Sequence, residues 1–185
     1  MFRTFFYTIF FILGTGLLFS NYGYKNDMYY DSIYKESILL IKNDKVNEAI
    51  LFLKEINDHY KYTLYHEINI NAHYDLGQIY LSRIADYELA NFHFDFIFKN
   101  LHSRPFKKNK LENVDSYLKN SQELRLKSLF MLGYIYHNHL GNFTRAQKYY
   151  KLFLDQYKDT DLTSSVMYEL ELINKAINDF NQINK

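Results

Sequence analysis

The chain has 185 residues and a mass of 22.4 kDa; 48% of it is hydrophobic and 19% aromatic, with 19 Tyr and 16 Phe but no Trp, 6 Gly, 1 Pro and no Cys. That length holds one compact domain or a short repeat array, and the scarcity of Gly and Pro excludes sandwiches and barrels, whose turns need both, so the expected fold is all-α. The 22 basic and 21 acidic residues leave a net charge of +1; no whole-molecule field favours nucleic acid or an acidic partner, and the lack of Cys excludes disulfides, thiolate metal sites, a Cys nucleophile and a lipidated N-terminal Cys.

The chain opens with one basic residue, Arg3, followed by an uncharged run from Phe5 to Phe19. Apolar residues rising about 1.5 Å each over such a run fall short of a roughly 30 Å hydrocarbon core but fit the apolar region of a secretory signal. Residues 1–20 therefore read as a signal peptide ending near Ser20 or as an N-terminal membrane anchor, with 21–27 as a short linker. Either reading sends the chain out of the cytoplasm, to the periplasm or to a membrane-anchored place in the cell envelope, with membrane association through residues 5–19; the remaining alternative is a buried helix of a cytosolic protein.

Helical periodicity begins near residue 28 and continues to about 180, the expected extent of the folded domain. The first unit, about 28–60, pairs a helix over about Tyr29 to Ile41 with a second one marked by Asp44, Val46, Ala49, Leu53 and Ile56. The last four of these recur 41 residues later as Tyr87, Ala90, Phe94 and Ile97. In place of the Leu-Gly pair found in the next units, the first helix offers Glu36-Ser37.

The second and third units, about 66–99 and 121–157, repeat each other at a spacing of 56 without a gap. Leu76-Gly77 matches Leu132-Gly133, Tyr80 matches Tyr136, Ala85 matches Gly141, Tyr87 matches Phe143, Ala90 matches Ala146 and Phe94 matches Tyr150. Leu and Tyr four apart share one helix face, while Gly and Ala sit where two helix axes cross and a larger side chain would hold them apart. A crossing explains a helix-interior Gly, which otherwise costs about 1 kcal/mol relative to Ala. Asp86 and Asn142 are placed as caps of the second helices.

Between these units lies an insertion, 100–120, with the single Pro105 and the basic residues Lys99, Arg104, Lys107, Lys108 and Lys110. Leu111 to Leu118 has the pattern of a short helix, and Asn120 with Glu123 has the spacing of a capping box that would restart the main one. The basic run offers a second reading, a loop that touches phosphates of anionic lipid or nucleic acid. After Tyr157 comes a polar turn and a last helix, 161–180, with Tyr168 and Leu170 in the earlier register and polar Asn and Lys beyond Ile173, the composition of a cap facing water.

The pattern L-G-x2-Y-x4-[A/G]-x-[Y/F]-x2-A-x3-[F/Y] resembles the tetratricopeptide repeat. Set against that family, both copies carry one extra residue between their helices, and the insertion lengthens a repeat of about 34 residues. The resemblance implies antiparallel helix hairpins stacked in a right-handed solenoid with a C-terminal capping helix. Around Tyr149 to Glu171 the chain is most similar to bacterial envelope members, the outer-membrane assembly factor of BamD type and the periplasmic Tol-associated coordinator, with Lys158 in place of their Pro and Glu171 in place of their Gly. It further implies a non-catalytic scaffold that binds a peptide or helix of a protein partner in a concave groove. The positions that face the groove in that family fall here on Asn71, Tyr74, Gln78, Leu81 and Ser82, on Lys127, Phe130, Tyr134, His137 and Asn138, and on Tyr168. The alternative for their rings is packing between neighbouring hairpins.

No other chemistry is encoded. His59, His66 and His73 are spaced by seven residues, which on a continuous helix puts them about 10.5 Å apart, too far for one ion with His–metal bonds near 2.1 Å. No catalytic motif, phosphate-cradling Gly loop or paired carboxylate is present, so neither catalytic residues nor a metal or other cofactor is assigned.

Overall fold

A computed structural model describes residues 27–61, 66–101 and 114–183. The apolar segment 5–19, with the export reading attached to it, and the basic residues Arg104, Lys107, Lys108 and Lys110 lie outside the described residues. Helices and short connections make up what is described, with no strand, and no described helix is long and apolar enough to cross a membrane. The helices are α1 (27–42), α2 (Val46–Tyr60), α3 (Glu67–Ile79), α4 (Tyr87–Asn100), α5 (Val114–Asn138), α6 (Phe143–Gln156) and α7 (Thr163–Ile183). They form two compact units that divide between Ile56 and Asn57.

In the first unit α1 turns into α2 through Asp44, whose φ of 63° is left-handed. Lys45 N–H donates to Leu40 O (2.9 Å) and Asp44 N–H to Ile41 O (3.2 Å), the paired bonds of a Schellman motif that satisfy the last carbonyls of α1. Tyr29 donates its hydroxyl proton to Glu55 Oε1 (3.0 Å), tying the start of α1 to the far end of α2. Ser37 is fully buried three residues before Leu40, as Gly77 stands three before Tyr80. It therefore occupies the small-residue slot of this hairpin, the place that Glu36-Ser37 gives it against the Leu-Gly pairs.

The second unit contains two hairpins, α3–α4 and α5–α6, followed by α7. Their turns are built alike. Ala85 and Gly141 both have φ of 60°, and Asp86 N–H donates to Tyr80 O (2.9 Å) as Asn142 N–H donates to Tyr136 O (2.8 Å). Each closure spans one residue more than the Schellman bond of the first hairpin. The extra residue is absorbed by widening the end of the first helix: after α3 the backbone passes into a π turn over Tyr80–Ile84, and after α5 Leu140 N–H reaches back five residues to Ile135 O (3.0 Å). Both second helices are then capped by a side chain, Asp86 Oδ1 accepting from Leu89 N–H and Asn142 Oδ1 from Arg145 N–H, each at 3.0 Å.

The crossings of the two hairpins are also equivalent. A Cβ on Gly77 would stand 2.9 Å from the Phe94 ring, and one on Gly133 only 2.5 Å from the Tyr150 ring, so both glycines exist because an aromatic ring of the partner helix lies against the backbone. Ala49, Leu53 and Ile56 of α2, Ala90, Phe94 and Ile97 of α4, and Ala146, Tyr150 and Phe153 of α6 are all completely buried. The spacing of three and four puts each trio on one helix face, and burying each large member stabilises the fold by about 1.5–3 kcal/mol.

Three features differ from the sequence expectation. The helix α5 runs unbroken from Val114, so Asn120 lies inside it, its amide near Glu67 Oε1 (3.4 Å), and the expected capping box and separate short helix are absent. The helix α7 buries Val166 and Ile173 against the α5–α6 core and exposes Asn174 and Lys175 to water, and it also leaves the apolar Met167, Leu172, Phe180 and Ile183 exposed, which its polar composition beyond Ile173 did not foretell. Arg125 of α5 is buried, donating to the Tyr157 hydroxyl (2.6 Å) with its guanidinium 4.9 Å from the Phe98 ring centroid, a junction of α4, α5 and the end of α6 that no spacing rule predicts.

Candidate functional site

The second unit holds two adjoining cavities between α3, α5 and the start of α7. The larger, about 670 Å³, is lined by Leu81, Phe130, Met131, Tyr134, Tyr168 and Glu169, with Ser164 and Ser165 at the N-terminal turn of α7. The smaller, about 500 Å³, has Tyr74, Glu123, Lys127 and Leu126 on one side and Thr160, Asp161 and Leu162 on the other. Phe130 and Met131 border both, which makes them one continuous depression.

Local structure explains why these side chains meet. Tyr74 and Phe130 stand three residues before Gly77 and Gly133, so the rings they pack beside are those that fill the crossings: Tyr74 meets Phe94 edge-on at 5.8 Å and Phe130 meets Tyr150 at 6.2 Å. Both rings thus pack against the second helix of their own hairpin, not against the next hairpin, and both also border the depression. The far wall depends on the turn after α6. Thr160 N–H donates to Thr163 Oγ1 (3.0 Å), and Thr163 N–H to Thr160 O (3.0 Å), which closes the first turn of α7 and fixes Thr160 to Leu162 opposite α5.

Of the groove positions expected from the sequence, Tyr74, Leu81, Lys127, Phe130, Tyr134 and Tyr168 line the depression. Gln78 and Asn138 stand behind lining residues, Gln78 donating to the Tyr74 hydroxyl (3.2 Å) and Asn138 to Tyr134 O (3.3 Å). His137 supports Glu169, with 2.6 Å between Nδ1 and Oε2. Ser82 bonds its own helix at Gln78 O (2.7 Å), and Asn71 is half-buried on α3 away from both cavities. Lys99, the described member of the basic run, pairs with Asp95 on its own helix (2.6 Å). Sequence reasoning missed Glu123, Leu126 and Met131, which flank Lys127 and Phe130 on α5, and Thr160 to Leu162, Ser164, Ser165 and Glu169, which come from the turn before α7 and from α7 itself, whose register against α5 no internal repeat supplied.

Charge in the depression is unevenly spread. Glu123 and Lys127 pair at 2.5 Å, the lysine holding the carboxyl below its usual range and the carboxylate holding the ammonium above its own. Burial pushes the Tyr74 hydroxyl up, with Lys127 pulling the other way. In the larger cavity Glu169 is the one formally charged lining residue. Tyr150, at the Gly133 crossing, has a buried hydroxyl with no hydrogen-bond partner among the described residues, and burial, then the charges of Glu169 and Tyr134, push that hydroxyl far up.

A second polar pair lies inside the α3–α4 hairpin. His73 and His93 approach at 2.9 Å between their Nδ1 atoms, both buried, with His73 stacked on Phe96 at 3.7 Å and His93 on Tyr80 at 5.6 Å. Burial, then the neighbouring His93, lower His73 to about 3, so the His73 ring is neutral near pH 7. Among the described residues no three His, Asp or Glu gather as metal ligands.

No protein-family profile matches the chain, and no curated protein and no solved structure matches it.

Proposed function

We propose that the chain is a tetratricopeptide-like scaffold of the cell envelope, without catalytic activity, that binds an extended peptide or a helix of a protein partner in the depression between α3, α5 and α7. The observation that carries this reading is the arrival of Tyr74, Leu81, Lys127, Phe130, Tyr134 and Tyr168, from two hairpins and the last helix, around one depression. Rings already packed against their own hairpin give rigid contact area at low entropic cost, and the carboxylate, hydroxyl and ammonium groups between them fix orientation. Supporting the solenoid are the matched turns, caps and glycine crossings of α3–α4 and α5–α6. The envelope assignment rests on residues 5–19.

A random dodecapeptide display library panned on the full chain tests the groove. The selected peptides are expected to lose tenfold or more in affinity for the Tyr74→Ala/Phe130→Ala double variant, with its helical circular dichroism retained. Peptides that bind wild type and variant alike would remove the depression as the binding site.

A further inference from the structure

Resting on that groove reading, we infer that the larger cavity is a socket for a cationic side chain, an arginine or lysine of the bound peptide, received by the Glu169 carboxylate among the faces of Phe130, Tyr134 and Tyr168. Its lining contains three aromatic rings, two serine hydroxyls and one carboxylate, with no basic residue. Aromatic faces attract cations through their quadrupole, best where water is displaced, and a carboxylate in the same place adds a charge-assisted hydrogen bond. An anionic guest would meet only repulsion from Glu169, and a purely apolar guest would strip it of water without return.

Glu169 is built to receive a donor. Its side chain is largely buried, at 20% exposure, and Oε2 is held by His137 Nδ1 at 2.6 Å. Oε1 makes no hydrogen bond among the described residues, so a residue that lines the cavity keeps an acceptor oxygen on a carboxylate already held by His137. Tyr134, which supplies a second acceptor and a ring face, is backed by Phe130 at 6.4 Å and by His139 at 5.4 Å between centroids.

The dodecapeptide pool also decides this inference. Its members are expected to be enriched in Arg or Lys beside apolar residues, and a fluorescein-labelled member should lose about tenfold in affinity when its Arg is replaced by the neutral isostere citrulline. Glu169→Gln, which keeps an oxygen for His137, should weaken the arginine peptide by a similar factor and leave the citrulline peptide unchanged, with the melting temperature confirming that it folds. Peptides lost by the Tyr74→Ala/Phe130→Ala variant but indifferent to both citrulline and Glu169→Gln would overturn the cation socket and keep the groove. An acidic pool would do the same, and a library that yields no binder would overturn both.

Discussion

The hairpins α3–α4 and α5–α6 share a backbone plan and differ in what they enclose. Each has a glycine under an aromatic ring, a left-handed residue at the turn, a side-chain cap and a stacked pair of rings at 5.6 Å, Tyr80 with His93 in one and Tyr136 with Tyr149 in the other. Inside that plan the first encloses a hydrogen-bonded histidine pair where the second has Leu129 and Tyr149, and the second carries a buried hydroxyl on Tyr150 where the first has Phe94. The comparison teaches that the small-residue crossing and the turn set the hairpin, because backbone approach and φ are steric constraints. The remaining interior varies within that volume, from a hydrogen-bonded histidine pair in one hairpin to a buried hydroxyl without a partner among the described residues in the other.

The largest expected effect comes from the crossings. Gly133→Leu forces a side chain into the Tyr150 ring and is expected to cost about 3 kcal/mol, with Gly77→Leu nearer 2 because the approach to Phe94 is looser. Urea midpoints measure both; a negligible loss at one glycine beside a large loss at the other would break the equivalence drawn between them.

Acid should separate the hairpins next. His73 titrates near 6.5 when unfolded and near 3 when folded, so below about pH 6.5 the unfolded chain binds the extra proton. The stability due to the neutral ring is thus complete above that pH and lost as the pH falls. Between pH 7 and pH 5 the loss is about 2 kcal/mol. His73→Leu, which copies Leu129 of the other hairpin, should flatten that dependence in urea titrations at the two pH values; an unchanged slope would show that His73 is not its source.

The smallest effect is a reciprocal one at the turns. Ala85 and Gly141 hold the same left-handed φ of 60°, and a Cβ on Gly141 would touch nothing within 4 Å, so only backbone conformation is at stake. Ala85→Gly should raise stability and Gly141→Ala lower it, each by about 1 kcal/mol. Shifts in melting temperature of the same sign would show that the two turns are not alike.

Much of this was legible from spacing, because a 56-residue repeat places equivalent residues in equivalent surroundings. Gly77 and Gly133 predicted the crossings, Asp86 and Asn142 the caps, and Tyr74, Phe130 and Tyr168 the rings beside the depression. Those features depend on contacts within one hairpin, where helix geometry converts sequence separation into position. Asn120 misled because a capping box is also an ordinary polar pair within a helix, and nothing local ends α5 there.

What the sequence determined by itself is therefore the all-helical chain, its turns and the small-against-large crossing of each hairpin, since these follow from φ, capping and the 3.6-residue period. Tertiary structure alone decided that His73 meets His93, that Arg125 lies between Phe98 and Tyr157, and that Glu169 comes from α7 to stand among the rings of α5. Those meetings depend on the axial and rotational register of one helix against another, which side-chain packing sets and which no periodicity along a single chain encodes.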